Sequence, residues 1–280
     1  MKNITKVLFL FATISVSSQS PWTPKKGKAY TQLSYTTIPE YNALFAEPDR
    51  TLFGTISDNT IQFFGEYGLS NTTSLLVNIP FKSISIDDFE DPRIDCIGNC
   101  SRDFSSSALG NISLGLKHNF YNKNWLLSGQ LTIEGNTGSY DNISGIRTGY
   151  DAWSFTPLFL VGRGFGKTYI QAFLGADFRT NNYSSNFKIG GELGKKLGKY
   201  IWLIGFLDIS KSLENGNVIL PIANTLNSLY VNNQEYGSFG LKGIGEIKNN
   251  FGITASFGGA FFGNNVAKQA ALTFGIYHKF

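Results

Sequence analysis

Histidine is the side chain that enzymes use most often for proton transfer, and this chain of 280 residues contains only two, His118 and His278. Both occupy positions of predicted strands that face away from the carboxylates of the opposite face. The chain also lacks the Gly-x-Ser-x-Gly run that exposes a nucleophilic serine at a strand-to-helix turn. The sequence therefore argues against an enzyme and predicts no cofactor.

The second group of residues that could do chemistry is an acidic segment, residues 84–106. This segment also holds the only two cysteines, Cys96 and Cys100. Its carboxylates could attract Ca²⁺ or Mg²⁺, but their spacing differs from that of an EF-hand loop, and a solvated acidic loop explains them more simply. Zinc would need two ligands besides the two sulfurs, and no histidine is near in sequence. We predict no metal site and expect a small Cys96–Cys100 disulfide in an oxidising compartment. The carboxylates are Asp87, Asp88, Glu90, Asp91 and Asp95.

The elements that must position these residues are β-strands, because apolar and polar side chains alternate along most of the chain. In the segment Trp125–Asn136, for example, Leu127, Leu131 and Ile133 fall on one face, and Gln130 falls on the other. The same alternation predicts twelve strands: Lys28–Thr37, Thr60–Gly68, Thr72–Ser83, Ser107–Tyr121, Trp125–Asn136, Trp153–Phe165, Thr168–Arg179, Ser185–Lys195, Tyr200–Lys211, Glu235–Ile247, Phe251–Phe262 and Lys268–Phe280.

The links between these strands differ in length in a regular way. Short links follow every even-numbered strand up to the tenth, whereas the long links, residues 38–59, 84–106, 137–152 and 212–234, all follow odd-numbered strands. Short turns on one side and long loops on the other are typical of outer-membrane barrels. Aromatic residues also cluster beside the short turns: Tyr67, Phe120, Tyr121, Trp125, Phe165, Tyr169, Tyr200, Trp202 and Phe251. We therefore predict an all-β fold, a 12-stranded antiparallel transmembrane β-barrel with both termini in the periplasm. The alternative is a secreted β-sandwich.

The first residues have the features of an export signal. Lys2 and Lys6 precede an apolar run that is too short to span a membrane as a helix, and Val16–Ser18 offers a small-residue cleavage site. We predict a signal peptide over residues 1–18, one barrel domain over residues 19–280, and an outer-membrane location. The net charge of +4 comes from scattered lysines rather than a basic stripe, which argues against nucleic-acid binding.

Charged side chains of both signs share the predicted inward face. Two interpretations fit them: a charged constriction that filters solutes, or a salt-bridged plug inside a narrow barrel. Inward aromatic residues either form a path for apolar solutes or fill space. The candidate charged residues that line the lumen are Glu66, Lys117, Glu134, Asp177, Arg179, Lys188, Glu192, Asp208, Lys242 and Glu246, and the aromatic ones are Tyr30, Phe64, Phe173, Phe206, Tyr236 and Tyr277.

One stretch resembles a known family. The run Glu66–Leu75, followed by Asn78–Phe81, is similar to the strand–turn–strand of outer-membrane barrels described as transporters of the phenol meta-degradation pathway, which are grouped loosely with the long-chain fatty-acid channels. The opening Trp22–Tyr35 also fits, whereas Asn71 replaces the family's charged residue. The resemblance implies passage of small hydrophobic or aromatic molecules and carries over no substrate-binding residue.

The last strand resembles the segment by which the barrel-assembly machinery recognises outer-membrane proteins. It ends in Phe280, with Leu272, Phe274 and Ile276 on the same face, although His278 stands where an apolar residue is usual. The sequence thus predicts the lipid bilayer and the assembly machinery as partners, and a small solute as cargo.

Three functional hypotheses follow. The first is a channel or transporter for small solutes. The alternative is a surface receptor, adhesin or structural barrel that acts through its acidic loops. The third is an enzyme that modifies lipid at the rim, against which the positions of the two histidines argue.

Overall fold

The computed structural model describes residues 19–92, 101–248 and 250–280. These residues form strands and one short helix, α1 (Ile222–Asn227). The strands are β1 (Ala29–Phe45), β2 (Arg50–Gly68), β3 (Thr73–Phe89), β4 (Arg102–Leu109), β5 (Ser113–Asn122), β6 (Leu126–Glu134), β7 (Ser154–Phe165), β8 (Thr168–Arg179), β9 (Asn186–Leu197), β10 (Ile201–Ser212), β11 (Glu235–Glu246), β12 (Phe251–Asn264), β13 (Val266–Ala267) and β14 (Ala271–Lys279). No helix in this part of the chain is long and apolar enough to cross a membrane.

The sheet closes on itself. Neighbours pair antiparallel in chain order, and β1 pairs with both β2 and β14, which joins the first strand to the last. Strands β4 and β5 both pair with β3 and together act as one interrupted strand of the barrel wall, while β13 is a two-residue addition to β1. Counted in this way, the wall has twelve antiparallel strands, and the predicted closed 12-stranded barrel is confirmed.

Two of the predicted long loops are wrong. Residues 38–59 and 84–106 were expected to be loops, but β1 and β2 stay paired up to a turn at residues 46–49, and β3 continues to Phe89. The reason is that a strand needs an apolar outer face only where it crosses the bilayer. Beyond that region the alternation of apolar and polar residues is lost, while the hydrogen bonds between neighbouring strands continue. These strands project past the rest of the wall as long hairpins.

The two faces of the wall have opposite character. On β5, Leu114 and Leu116 are about half exposed on the outside, whereas the whole of Lys117 is buried on the inside. Other large apolar residues that are exposed in this way occur on every long strand of the wall. An apolar exterior around a closed hydrogen-bonded sheet is what a bilayer requires, because lipid offers backbone groups no partner.

Both ends of the barrel chain meet at the edge that carries the short turns. The backbone N–H of Phe280 donates to the carbonyl of Ala29 at 2.9 Å. Exposed aromatic residues such as Tyr67 and Tyr200 lie at this edge, as predicted for a membrane boundary. Tyr169 and Trp202 were expected to join them, but their rings are buried inside the barrel, 5.6 Å apart, because they fill the lumen near its end. That this edge faces the periplasm stays a prediction.

Candidate functional site

The interior of the barrel is the place where polar and charged side chains converge, because the outer face is apolar. All ten charged candidates from the sequence lie on strands of the wall, on its inner face. Three of the pairs formed are between predicted residues: Glu66 with Lys117, Asp177 with Arg179, and Glu192 with Lys242. Of the others, Glu134 accepts a hydrogen bond from Asn111, and Glu246 binds Lys196, which was not predicted. Lys188 and Asp208 interact electrostatically.

The first ion pair lies near the short-turn end. Nζ of Lys117 is 2.8 Å from Oε1 of Glu66, which also accepts a hydrogen bond from the hydroxyl of Ser74 at 2.5 Å. The same ammonium donates to the backbone carbonyl of Ser20 at 2.9 Å. Because Ser20 precedes β1, its presence here means that the chain before the first strand folds back into the lumen.

The second ion pair stands at mid-barrel. Lys242 approaches Oε1 of Glu192 to 2.7 Å, and Oε2 of the same carboxylate accepts hydrogen bonds from Gln171 at 2.9 Å and from the hydroxyl of Tyr169 at 3.2 Å. This carboxylate therefore joins three strands, β8, β9 and β11. Because both oxygens of this carboxylate are bonded, its side chain is held in one position on the inner face of the wall.

The third group lies toward the long-loop end and includes residues that the sequence analysis missed. Asp58 and Lys82 form a two-oxygen contact at 2.8 Å. Asp58 was overlooked because residues 38–59 were assigned to a loop, whereas Lys82 lies in the predicted strand Thr72–Ser83 and was not listed among its inward residues. Continuing the inward positions of β2 back from Glu66 would have reached Asp58. Arg179 binds Asp177 at 2.5 Å and lies over the ring of Tyr150, 4.1 Å from its centroid.

Two loops fold into the mouth at this end instead of extending outward. In the loop between β6 and β7, Ile146 is fully buried, and Arg147 donates through Nε to Oδ1 of Asn224 on α1 at 3.0 Å. The hydroxyl of Tyr150 donates to Gln234 at 2.5 Å and so joins the same two loops. Ile146 and Leu229 belong to an apolar cluster with residues of β1, β2 and β3, which holds both loops in place.

The titration of these loop residues follows their surroundings. Burial raises the pKa of the Tyr150 and Tyr230 phenols, so both stay protonated and neutral under ordinary conditions. At the exposed turn of the same mouth, backbone N–H groups of Ser144 and Ile143 donate to Asp141 and lower the pKa of its carboxyl. The turn is therefore fixed by a charged acceptor, whereas the tyrosines of the mouth make their contacts as neutral groups.

Between the filled ends, two cavities adjoin each other. One, of about 200 Å³, is polar and is lined by Gln171, Glu192, Asp208 and Lys242, with Gln19 reaching into it. The other, of about 420 Å³, lies along β11, β12 and β14. Its lining is mostly apolar or small and includes Ile38, Tyr236, Gly258, Ala260, Val266 and Ala271. Phe206 and Ser256 line both cavities and thus mark the place where they meet.

The inward aromatic residues separate into two sets. Tyr30 and Tyr277 stack at 5.5 Å near the short-turn end, where Phe64 packs against Tyr30, so these rings fill space. Phe173 and Phe206 line the smaller cavity, and Tyr236 lines the larger one with Phe206. The sequence left two interpretations of the inward aromatic residues, a path for apolar solutes or space-filling. Each of the two therefore applies to a different set of rings.

The histidines lie outside this interior. Nδ1 of His118 is 2.9 Å from the hydroxyl of Thr73, and the ring of His278 stacks on Phe251 and meets Phe280 edge-on. Cys96, Cys100 and Asp95 lie outside the described residues. Within those described, no group of three or more His, Cys, Asp or Glu is arranged to hold a metal ion.

Comparisons with known proteins support the fold. No protein-family model matches the chain, and no curated protein sequence matches it. Among solved structures, an outer membrane channel from Pseudomonas putida F1 is similar at a TM-score of 0.69 and 14% identity, over 95% of this chain and 100% of that one. The KdgM porin reaches 0.50 at 8% identity, over 89% and 99% of the two chains. The translocator domain of the autotransporter NalP from Neisseria meningitidis reaches 0.53 at 10% identity, over 91% and 90%.

At such identities the likeness concerns the fold alone. It does not single out the phenol meta-pathway barrels, which stay a resemblance of short motifs around Glu66–Phe81. The closed sheet, the apolar exterior and the similarity to these structures lead to the same conclusion: the chain has the fold of an outer-membrane β-barrel.

Proposed function

We propose that this protein is an outer-membrane channel for small solutes, with its short turns and both termini in the periplasm and residues 1–18 removed as a signal peptide. The observation that carries the proposal is the pair of adjoining cavities inside a closed barrel with an apolar exterior. A purely structural barrel has no need of internal space, because side chains can fill a narrow lumen. The neighbours described as an outer membrane channel and a porin agree with it.

The solutes that fit this lumen are small and at least partly apolar. The larger cavity combines a mostly apolar or small lining with the polar side chains of Ser238, Gln269 and Thr273, and Phe206 and Tyr236 give it aromatic surface for an apolar or aromatic guest. The motif resemblance to barrels of phenol degradation points to the same class of molecule. Most of the ten charged lumen residues are already bonded to protein groups, so they line the wall beside the apolar path.

Passage requires movement at both ends of the lumen. The loops around Ile146 and α1 cover one end, and the segment before β1 occupies the other. We therefore infer that the described structure is a closed form, and we expect openings to be brief and small in conductance. The bonded pairs of the wall are not obstacles by themselves, because they lie along the strands.

The test is solute uptake by liposomes that contain the purified protein, with a substitution that fills the junction of the cavities. Ser256→Trp should reduce uptake of a small aromatic solute several-fold, because Ser256 lines both cavities. Ala255→Trp is the matched control, since Ala255 is the adjacent residue of β12 and is exposed on the outer face. Equal uptake by the two variants, or no uptake and no conductance by the unmodified protein, would contradict the proposed channel.

A second candidate function, a surface receptor or adhesin, is favoured by the hairpins that project beyond the wall. The acidic residues Asp87 and Asp88 lie at the far end of β3, next to the start of β4. Deleting residues 87–102 should abolish binding to a partner cell or protein and leave uptake unchanged if this function holds. Loss of uptake without loss of binding would contradict it.

The C-terminal strand is proposed as the signal for the barrel-assembly machinery. Its last residue, Phe280, has a half-exposed side chain at the rim and a backbone already bonded to Ala29. Removing Phe280 should therefore slow insertion in cells more than it lowers the stability of the assembled barrel. The comparison is between the amount of folded protein in the envelope and the unfolding midpoint of protein refolded without the machinery.

A further inference from the structure

The ten residues before β1 form an internal segment of the barrel. At the rim, the backbone N–H of Gly27 donates to the carbonyl of Gly68 at 2.8 Å, and a Cβ at Gly68 would lie 2.2 Å from the carbonyl oxygen of Lys25. This close approach explains the glycine at position 68. From there the chain runs inward, and the ring of Trp22 meets that of Tyr169 edge-on at 5.8 Å.

Two side chains of the wall hold the segment by its backbone. The hydroxyl of Ser128 donates to the carbonyl of Pro21 at 2.7 Å, and Lys117 donates to that of Ser20 at 2.9 Å. Ser20 is itself only 6% exposed. The direction of the chain makes Gln19 its deepest described residue, and Gln19 lines the polar cavity at mid-barrel.

That cavity contains acceptors that the described protein does not satisfy. Oδ1 of Asp208 and Oε1 of Gln171 are buried and accept no hydrogen bond from the residues described. Lys242 is already bonded to Glu192, and Lys188 interacts with Asp208 electrostatically without donating to Oδ1. A buried acceptor without a partner destabilises the fold, so a donor is expected in this cavity.

We propose that the donor is the chain's own mature amino terminus: removal of residues 1–18 gives Gln19 an α-ammonium group, which binds Asp208 and Gln171 and fixes the segment as a plug. An ammonium carries three N–H donors and a positive charge, which match one buried carboxylate and one amide oxygen. The inference rests on the proposed signal cleavage and goes beyond the channel function, since binding of the terminus is measurable whether or not solute passes.

The first experiment measures the terminus directly. Protein purified from the outer membrane of an expression host is analysed by mass spectrometry, before and after treatment with a water-soluble amine-acylating reagent. We expect a chain that begins at Gln19 with a free α-amine, acylated many-fold more slowly in the folded barrel than in denatured protein. A different first residue, a cyclised glutamine, or equal acylation of folded and denatured protein would overturn the proposal.

Variants then test the two acceptors. Asp208→Asn keeps the size of the side chain and removes its charge, so acylation should approach the rate for the denatured protein. Gln171→Met should give a smaller acceleration, and it keeps the proposal testable if the first variant does not fold. The matched control is Asp58→Asn, because Asp58 is an inward carboxylate bonded to Lys82 elsewhere in the lumen. The assigned site would be refuted if Asp58→Asn accelerated acylation as much as Asp208→Asn does. It would also be refuted if neither Asp208→Asn nor Gln171→Met accelerated acylation.

The plug also makes a prediction for conductance. In a background with both native cysteines replaced by serine, the pair Pro21→Cys and Gly162→Cys should form a disulfide, because a Cβ at position 162 would lie 2.7 Å from Cγ of Pro21. Single-channel openings should disappear in the oxidised protein and return on reduction, while the cysteine-free background is indifferent to both treatments. Openings that persist unchanged in the disulfide-bonded protein would show that the path does not pass this segment.

Discussion

Lys117 shows what allows a charge to lie inside this barrel. Its side chain is 1% exposed, yet all of its interactions are with groups that complement an ammonium: a carboxylate of β2 and a carbonyl of the inserted segment. Glu66 in turn receives the hydroxyl of Ser74. A buried charge is tolerated when both partners are present and bonded, and the removal of one partner leaves the other uncompensated.

Replacing Lys117 by Met should therefore destabilise the barrel by about 3–5 kcal/mol, because the carboxylate of Glu66 would stay buried without its partner. The measurement is the free energy of unfolding in urea of protein folded into liposomes, followed by the shift in gel mobility. Adding Glu66→Gln should recover a large part of the loss. An additive double variant would contradict the coupling of this pair.

The matched control for this prediction is an exposed pair. Lys268 and Asp49 form a salt bridge at the long-loop end, where both side chains are 45% exposed. Lys268→Met should lower the free energy of unfolding far less than Lys117→Met, since water screens such pairs and solvates the remaining partner.

At the scale of elements, the proposed channel would open through its loops rather than through its strands. The loop between β6 and β7 and the loop that carries α1 meet over the mouth, and Tyr150 is their shared contact. Its ring lies against Arg179 and meets Tyr183 and Tyr230 edge-on, at 5.3 and 5.2 Å. Loops that are held by a few side-chain contacts can open without any change in the wall.

Tyr150→Ala should raise the fraction of time that single channels are open, because it removes the ring contacts and the hydrogen bond to Gln234. Tyr150→Phe should have a smaller effect, since it loses only a hydrogen bond with a net value of about 1 kcal/mol. Tyr200→Ala, at the opposite rim, is the control and should leave gating unchanged. A closed Tyr150→Ala channel that is indistinguishable from the unmodified one would show that the mouth is not the gate.

The same contact predicts a response to pH. Because burial raises the pKa of Tyr150 above its ordinary value of 10.0, its contribution to the closed mouth is complete below that value and is lost as the pH rises toward the higher pKa of the folded state. Open times should therefore lengthen in alkaline solution, and the lengthening should be weaker in Tyr150→Phe. An identical alkaline response in both proteins would assign the titration to other groups.

At the scale of the whole molecule, the exterior determines where the barrel can exist. Leu131 is 47% exposed on the outside of β6 and is paired with Leu116 of β5 and Pro157 of β7, so a continuous apolar surface crosses the strands. Such a surface is stable in lipid and prone to aggregation in water.

Leu131→Arg should lower the stability of the barrel in a bilayer by about 2–4 kcal/mol, because it places a charge near the middle of the apolar band. Tyr121→Arg, beside a short turn, should cost about 0–1 kcal/mol, since a side chain there reaches the interface. Folding into liposomes, measured by gel mobility, distinguishes the two. An equal loss of stability at both positions would contradict the placement of Leu131 near the middle of the apolar band.

The sequence by itself determined the closed sheet. Apolar and polar side chains alternate with a period of two along each strand, and this alternation can be read along a single strand such as β6. It placed Glu66, Glu192 and the other inward charges on one face for the same reason. It did not reveal the strand extensions around Asp58, since pairing outside the apolar band leaves no hydropathy signal.

Only the tertiary structure decided which charges meet, because partners such as Lys117 and the carbonyl of Ser20 are 97 residues apart in the chain. It alone placed Gln19 and Asp208 in the lining of one cavity and folded the loop of Tyr150 over the mouth. Contacts of this kind depend on how the barrel closes and on which irregular segment its interior accepts, and no local pattern of residue types encodes that choice.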